Sequence, residues 1–107
     1  MAKRTKDTTA ATVNETALML KAVADSDRLK IIDSLRHGSK TVSDLAKILR
    51  AEIVNVSHHL GVLRRRKLVA FTKKGRFVHY TLNPEHYKVS GGNETLLLGG
   101  CRLEIGK

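Results

Sequence analysis

Near residue 67 the apolar residues of this chain change their period. Before it they recur every three or four positions, as in Leu29, Ile31, Ile32 and Leu35 and again in Val56, Leu60 and Leu63. After it come two short runs rich in β-branched and aromatic residues, Leu68-Val-Ala-Phe-Thr72 and Phe77-Val-His-Tyr-Thr-Leu82. A spacing that lines one face of a helix scatters over both faces of a strand, so a helical first part must give way to β structure. Between the two runs, Lys73-Lys-Gly-Arg76 supplies a turn carrying a glycine, which predicts a β-hairpin. Pro84 closes it, since proline has no N–H to give to an interior ladder.

Within the helical part, Asn14 and Glu15 suit the start of a first helix that carries Leu18, Leu20, Val23 and Ala24. Ser26 or Asp27 can cap a second, with Leu29, Ile31, Ile32 and Leu35 as its apolar face and Gly38 just past its end near His37. Thr41 or Ser43 can open a short third helix around Leu45, Ala46, Ile48 and Leu49. After a break at Arg50 to Glu52 a fourth begins, whose inner face is Val56, Leu60 and Leu63. The predicted fold class is α+β: four amino-terminal helices, the last two joined by a tight turn, then a hairpin wing, which is a winged helix-turn-helix.

Three stretches follow from this. Residues 1–11, with Lys3, Arg4 and Lys6 and no apolar periodicity, read as a flexible basic arm, and residues 12–88 as the helix-turn-helix domain. Residues 89–107 read as a β-like segment, in which Leu96-Leu-Leu98 and Gly99-Gly100 precede Cys101, Leu103 and Ile105 alternating with Arg102 and Glu104. Periodicity leaves open whether it is a hairpin about Gly99-Gly100 or one long strand. An exposed apolar strand is an aggregation hazard, so it either pairs with another strand, such as the same segment of a partner chain, or packs on its own domain.

Function enters through charge. Twenty Lys and Arg against ten Asp and Glu give a formal net charge of +10 at pH 7 with His neutral, a field that attracts polyanions. In the fourth helix Asn55, Ser57 and His58 alternate with Val56 and Leu60, leaving polar groups exposed while the other face anchors the helix, as reading a major groove requires. Asn55 is the leading base reader, because its amide can pair bidentately with adenine; Ser57 and His58 suit a base edge or a phosphate. Arg64 and Arg65, followed by Arg66 and Lys67, would lie over the sugar-phosphate backbone. Lys73, Lys74 and Arg76 at the hairpin tip can touch phosphates, with Arg76 reaching an adjacent minor groove. Any one of these runs alone reads as a solvated face; their order along one short chain points to double-stranded DNA.

Taken together, Leu20-Lys-Ala-Val-Ala-Asp-Ser-Asp-Arg-Leu-Lys-Ile-Ile32, Thr41-Val-Ser-Asp-Leu-Ala46, Val56-Ser-His-His-Leu-Gly-Val-Leu63, Lys67-Leu-Val69 and Gly75-Arg-Phe-Val-His-Tyr80 resemble the ArsR/SmtB family of bacterial repressors. The resemblance runs over residues 16–84. It implies a winged-helix fold, a homodimer, an inverted-repeat operator at a promoter, and repression that an inducer relieves. The chain departs from the family's pattern in three places. No Cys-x-Cys motif lies beside Val42 to Leu45, so the metal sensor site that members place there is expected to be missing. Glu52, Ile53 and Val54 stand where members usually have a small polar cap and a Gln, so no base preference carries over. The β-like tail replaces the last helix that supplies the family's dimer interface.

Other chemistries find little support. Cys101 is the only cysteine, which excludes an intrachain disulfide and a Cys-x-x-Cys zinc or redox pair, and it reads as a small buried residue. His37, His58, His59, His79 and His86 lack the i, i+4 spacing of helical metal ligands; His59 reads as packed and His58 as facing DNA. Neither metal nor cofactor is expected. With no Ser/His/Asp set, paired carboxylates or phosphate-binding glycine loop, the chain reads as a non-enzyme. No apolar run approaches the roughly 20 residues that cross a bilayer, and the polar start lacks a signal peptide's apolar stretch, so a cytoplasmic protein without membrane contact is expected. Two alternatives stand beside the DNA-binding reading: a ligand-, metal- or redox-responsive sensor switched through Cys101 or the carboxy-terminal segment, and a winged-helix module for protein interaction.

Overall fold

The structure, a computed structural model, describes the backbone of residues 2–106 and the side chains of residues 12–106. Four helices, α1 (Ala2–Val23), α2 (Ser26–Leu35), α3 (Val42–Leu49) and α4 (Ile53–Arg65), precede five strands, β1 (Val69–Lys74), β2 (Phe77–Leu82), β3 (Tyr87–Ser90), β4 (Asn93–Leu98) and β5 (Cys101–Ile105). The α+β winged helix-turn-helix is thus formed, followed by a three-stranded sheet. Helix α1 starts well ahead of Asn14, which lies inside it and caps nothing. The basic arm expected over residues 1–11 lies outside the residues whose side chains are described.

The caps explain where the helices begin. Asp25, not Ser26 or Asp27, is the N-cap of α2: its backbone is extended (φ −156°, ψ 131°) and its Oδ1 accepts from the N–H groups of Asp27 (2.9 Å) and Arg28 (3.1 Å). The backbone N–H of Arg28 holds the Asp25 carboxyl below its ordinary range. Thr41 opens α3 with a reciprocal box, its Oγ1 accepting from the Asp44 N–H (3.1 Å) while the Asp44 carboxylate accepts from the Thr41 N–H (3.0 Å). Arg50 ends α3 in the left-handed conformation (φ 55°), which makes the tight turn into α4.

The core draws on every helix, on the wing and on β4. It contains Met19, Ala22 and Val23 of α1, Ile31, Ile32 and Leu35 of α2, Leu45 and Ala46 of α3, and Val56, Leu60 and Leu63 of α4. Leu68, Val69, Leu82, Leu96 and Leu98 complete it. Some residues expected on inner faces are exposed: Leu18, Leu20, Leu29 and Ile48. The reason is angular. Leu29 is two residues from Ile31 and so about 200° around the helix, and Leu18 and Leu20 flank buried Met19 by about 100° on either side.

Strands β1 and β2 pair antiparallel with Lys74 opposite Phe77, so the turn is only Gly75-Arg76. Gly75 has φ +61° at its first position, a backbone that strains a residue with a Cβ. Tyr80 and Lys40 exchange backbone hydrogen bonds (2.8 and 3.1 Å), which fastens the wing to the segment between α2 and α3.

The remaining strands form an antiparallel sheet in the order β3-β4-β5. Leu98 pairs with Cys101 across Gly99-Gly100, so the hairpin is the form adopted. Strand β3 had no periodic signal, and it straddles the boundary placed after residue 88. The sheet packs on its own domain. Leu96 and Leu98 are 1% and 0% exposed. Gly99 runs so close to α1 that a Cβ there would sit 3.2 Å from the Thr16 Cα, and the Gly100 N–H donates to Thr16 Oγ1 (2.7 Å). At the other end of β4, Arg36 grips Glu94 with Nε on Oε1 (2.6 Å) and Nη2 on Oε2 (2.9 Å), and the Tyr87 hydroxyl donates to Oε1 (2.6 Å). The Arg36 fork, then the Tyr87 hydroxyl, hold the Glu94 carboxyl down to about 2.

Candidate nucleic-acid interface

Helix α4 has two opposite faces. Val56, Leu60 and Leu63 recur at i, i+4 and i+7 and are buried. Two residues out of step, and so about 200° around, Val54, His58, Gly61 and Arg65 recur at i, i+4, i+7 and i+11 and face outward. Asn55 and Ser57 are exposed as well, but each stands on a flank, roughly 70–90° from that outward line. All the residues singled out from the sequence on this helix, Asn55, Ser57, His58, Arg64 and Arg65, reach solvent. Lys73 and Lys74 at the end of β1 and Arg76 in the turn are exposed on the wing.

Helix and wing are joined by Arg64, whose guanidinium lies 4.4 Å from the centroid of the Phe71 ring. Phe71 in turn tilts against Tyr80 across the hairpin, with 5.8 Å between centroids. Arg64 therefore spends one face on the wing, a role that its place in a charge run did not suggest.

The start of α4 has no side-chain cap: Glu52 makes no cap hydrogen bond and the first turn holds no acidic residue, so the positive end of the helix dipole meets solvent beside Val54. On the α1 side of α4, Lys21, Arg28, Arg65 and Arg66 surround an open groove of about 390 Å³ floored by Leu18, Ala22 and Val62. The fold brings Lys21 and Arg28 to this cationic edge from outside the charge runs seen in the sequence.

His59 is half-buried and anchors α4 to α2. Arg28 Nη1 lies 3.1 Å from its Nδ1, placed to donate to it, and its Nε2 lies 3.7 Å from Asp27 Oδ2. The same guanidinium donates from Nε to the Ala22 carbonyl (2.5 Å) and from Nη2 to that of Lys21 (3.5 Å), closing the end of α1. Asp25, Asp27 and His59 thus gather with one possible ligand atom each within 4.8 Å, a cluster invisible to spacing because it spans two helices. The Asp25 carboxylate already serves as an N-cap, and the Arg28 charge beside the cluster opposes a metal cation. Cys101 is half-buried at the head of β5, packed against the core.

A model of the bacterial regulatory protein arsR family matches residues 25–70. The chain is 35% identical over 65 residues to the transcriptional repressor SdpR of Bacillus subtilis, covering 61% of this chain and 72% of that one. Among solved structures it is similar to reduced HlyU from Vibrio cholerae (TM-score 0.63, 32% identity, 72% of this chain and 78% of that one). It is also similar to the homodimeric winged helix-turn-helix DNA-binding domain of Mb0332 from Mycobacterium bovis (TM-score 0.71, 29% identity, 79% of this chain and 78% of that one).

Proposed function

The chain belongs to the arsR family of bacterial regulatory proteins, and on that premise we propose that it is a homodimeric repressor that binds an inverted-repeat operator in double-stranded DNA. Helix α4 enters the major groove with its outward line toward the bases, while Lys73, Lys74 and Arg76 of the wing hold the backbone or the adjacent minor groove. The observation that carries this reading is the two-faced α4: one stripe is locked in the core, the opposite one reaches solvent, and its cationic end is tied by Arg64 to a basic wing. The family's role is regulation by binding, and no catalytic step is assigned.

The homodimer has support from the Mycobacterium bovis neighbour, which is homodimeric, and from α1 itself. Val13, Ala17 and Leu20 recur at i, i+4 and i+7 on its outer face, with Val13 58% and Leu20 38% exposed, an apolar stripe for a second copy to cover. A two-fold dimer reads two half-sites of opposite direction, hence the inverted repeat. Among the described residues no helix is long and apolar enough to cross a membrane, and we place the protein in the cytoplasm with the DNA it binds.

Selection of bound sites from a random DNA pool tests the proposal. An enriched inverted repeat, discriminated less well by Asn55→Ala or His58→Ala, supports it; salt-sensitive binding with no enriched sequence overturns sequence-specific regulation.

A further inference from the structure

On its outward line α4 makes choices that do nothing for the fold. Val54 is 72% exposed and Ile53 beside it 56%, in a first turn where capping and acidic residues would stabilise the helix and none is used. Both are β-branched and so lose rotamer freedom in a helix. Seven residues on, Gly61 occupies mid-helix, where glycine is destabilising relative to alanine. Nothing among the described residues asks for it: a Cβ there would meet only the end of the Arg65 side chain at 3.8 Å, an ordinary contact. Val54 and Gly61 depart from local rules on one open face, with no compensation among the described residues, and so mark a surface shaped for something outside the chain.

Resting on the reading of α4 as the major-groove helix, the geometry points to a specific role for this line. The edges of the four base pairs offer hydrogen-bond donors and acceptors and a single apolar group, the C5-methyl of thymine. Val54 is the aliphatic side chain on the outward line, at the helix end that goes deepest. We propose that Val54 is a specificity-determining residue that packs on the C5-methyl of a thymine in each half-site. Gly61, lacking a Cβ on the same line, lets the helix axis come close enough for that contact. His58 lies between the two and supplies the polar contact beside the methyl. The apolar start of α4 replaces hydrogen-bonded readout at this position with readout by a methyl group.

Uracil pairs as thymine does and lacks only the methyl, so it isolates the contact. The site selected by the wild-type protein is synthesised with each symmetric pair of thymines replaced in turn by uracil, and affinities are measured for the wild type, Val54→Ala and Gly61→Ala. One thymine position is expected at which uracil weakens wild-type binding roughly fourfold per half-site and about fifteenfold for both, the transfer free energy of a methyl group. Val54→Ala should bind the thymine and uracil sites alike. Gly61→Ala should lose affinity for the selected site although its fold becomes more stable. Wild-type binding indifferent to uracil at every position, or an equal uracil penalty in Val54→Ala, overturns the role of Val54 and leaves operator binding standing. Failure to enrich any site overturns the major-groove reading of α4 and the valine contact with it. Val54 is exposed, so its replacement does not put folding at stake.

Discussion

Replacing Leu96 with alanine measures whether the carboxy-terminal sheet belongs to the domain or merely hangs from it. Leu96 is 1% exposed in the central strand of that sheet and faces the core shared with α1. Truncating a buried leucine removes its transfer free energy and leaves a cavity, about 2–5 kcal/mol in all. A domain of this size has roughly 5–15 kcal/mol to lose. With a urea dependence of about 2 kcal/mol per molar, a loss of about 3 kcal/mol lowers the midpoint by roughly 1.5 M. The assay is urea unfolding at fixed protein concentration, followed by helical circular dichroism and by the fluorescence of Tyr80 and Tyr87, one in the wing and one in the sheet. Both signals should move together. Arg102→Ala, on the exposed side of β5, is the control and should change stability by less than about 0.5 kcal/mol. A helical transition that stays in place while only the tyrosine signal shifts would refute the claim that β4 completes the helical core.

Acid loosens the other end of the sheet. The Glu94 carboxyl is depressed from 4.5 to about 2, so its contribution is complete above pH 4.5 and is lost as pH falls toward 2; amide shifts of residues 94–100 should titrate in that window in the wild type and lose the Glu94 component in Glu94→Gln. Neutralising Lys74 in both protomers should reduce the slope of log K against log salt by about 1.8, two phosphates at about 0.9 each, and an unchanged slope removes the wing from the backbone. Phe71→Leu keeps bulk but deletes the ring under Arg64, and is expected to destabilise the fold by about 0.5–1 kcal/mol, read from thermal unfolding.

What could be seen in the residues was whatever a period or a spacing encodes. The change from helical to β pattern placed α2 to α4 and the wing, and Thr41 marked the start of α3, whereas α2 ends at Leu35 with Arg36 as its C-cap and Gly38, at φ +129°, does not close it. Contacts between elements left no such trace. Strand β3 is four residues long, Tyr-Lys-Val-Ser, mostly exposed, and exists because β4 pairs with it. Arg36 and Glu94 are 58 residues apart, and His59 meets Arg28 across 31, so neither pair could be read along the chain. The sheet's attachment was equally hidden: Gly99-Gly100 can be read as a turn, and Gly99 has φ +63°, but nothing along the chain shows that this turn packs against Thr16 of α1.

The same distinction bears on how α4 should be understood. Asn55 was singled out for what its amide can do, a judgement from chemistry alone, and a polar residue next to a buried one satisfies it. Direction adds a condition that chemistry cannot supply. A helix lying in a groove presents its deepest contacts from the line opposite its anchor, and that line runs through Val54, His58, Gly61 and Arg65, with Asn55 to one side. Because Arg28 fixes His59 on the α2 side and Phe71 holds Arg64 on the wing side, α4 has little freedom to roll and bring Asn55 to the centre. On the proposed reading, two braces on opposite flanks set which side chains meet the base edges, and they make the rotation of α4, rather than the hydrogen-bonding capacity of any one residue on it, the quantity that decides sequence preference.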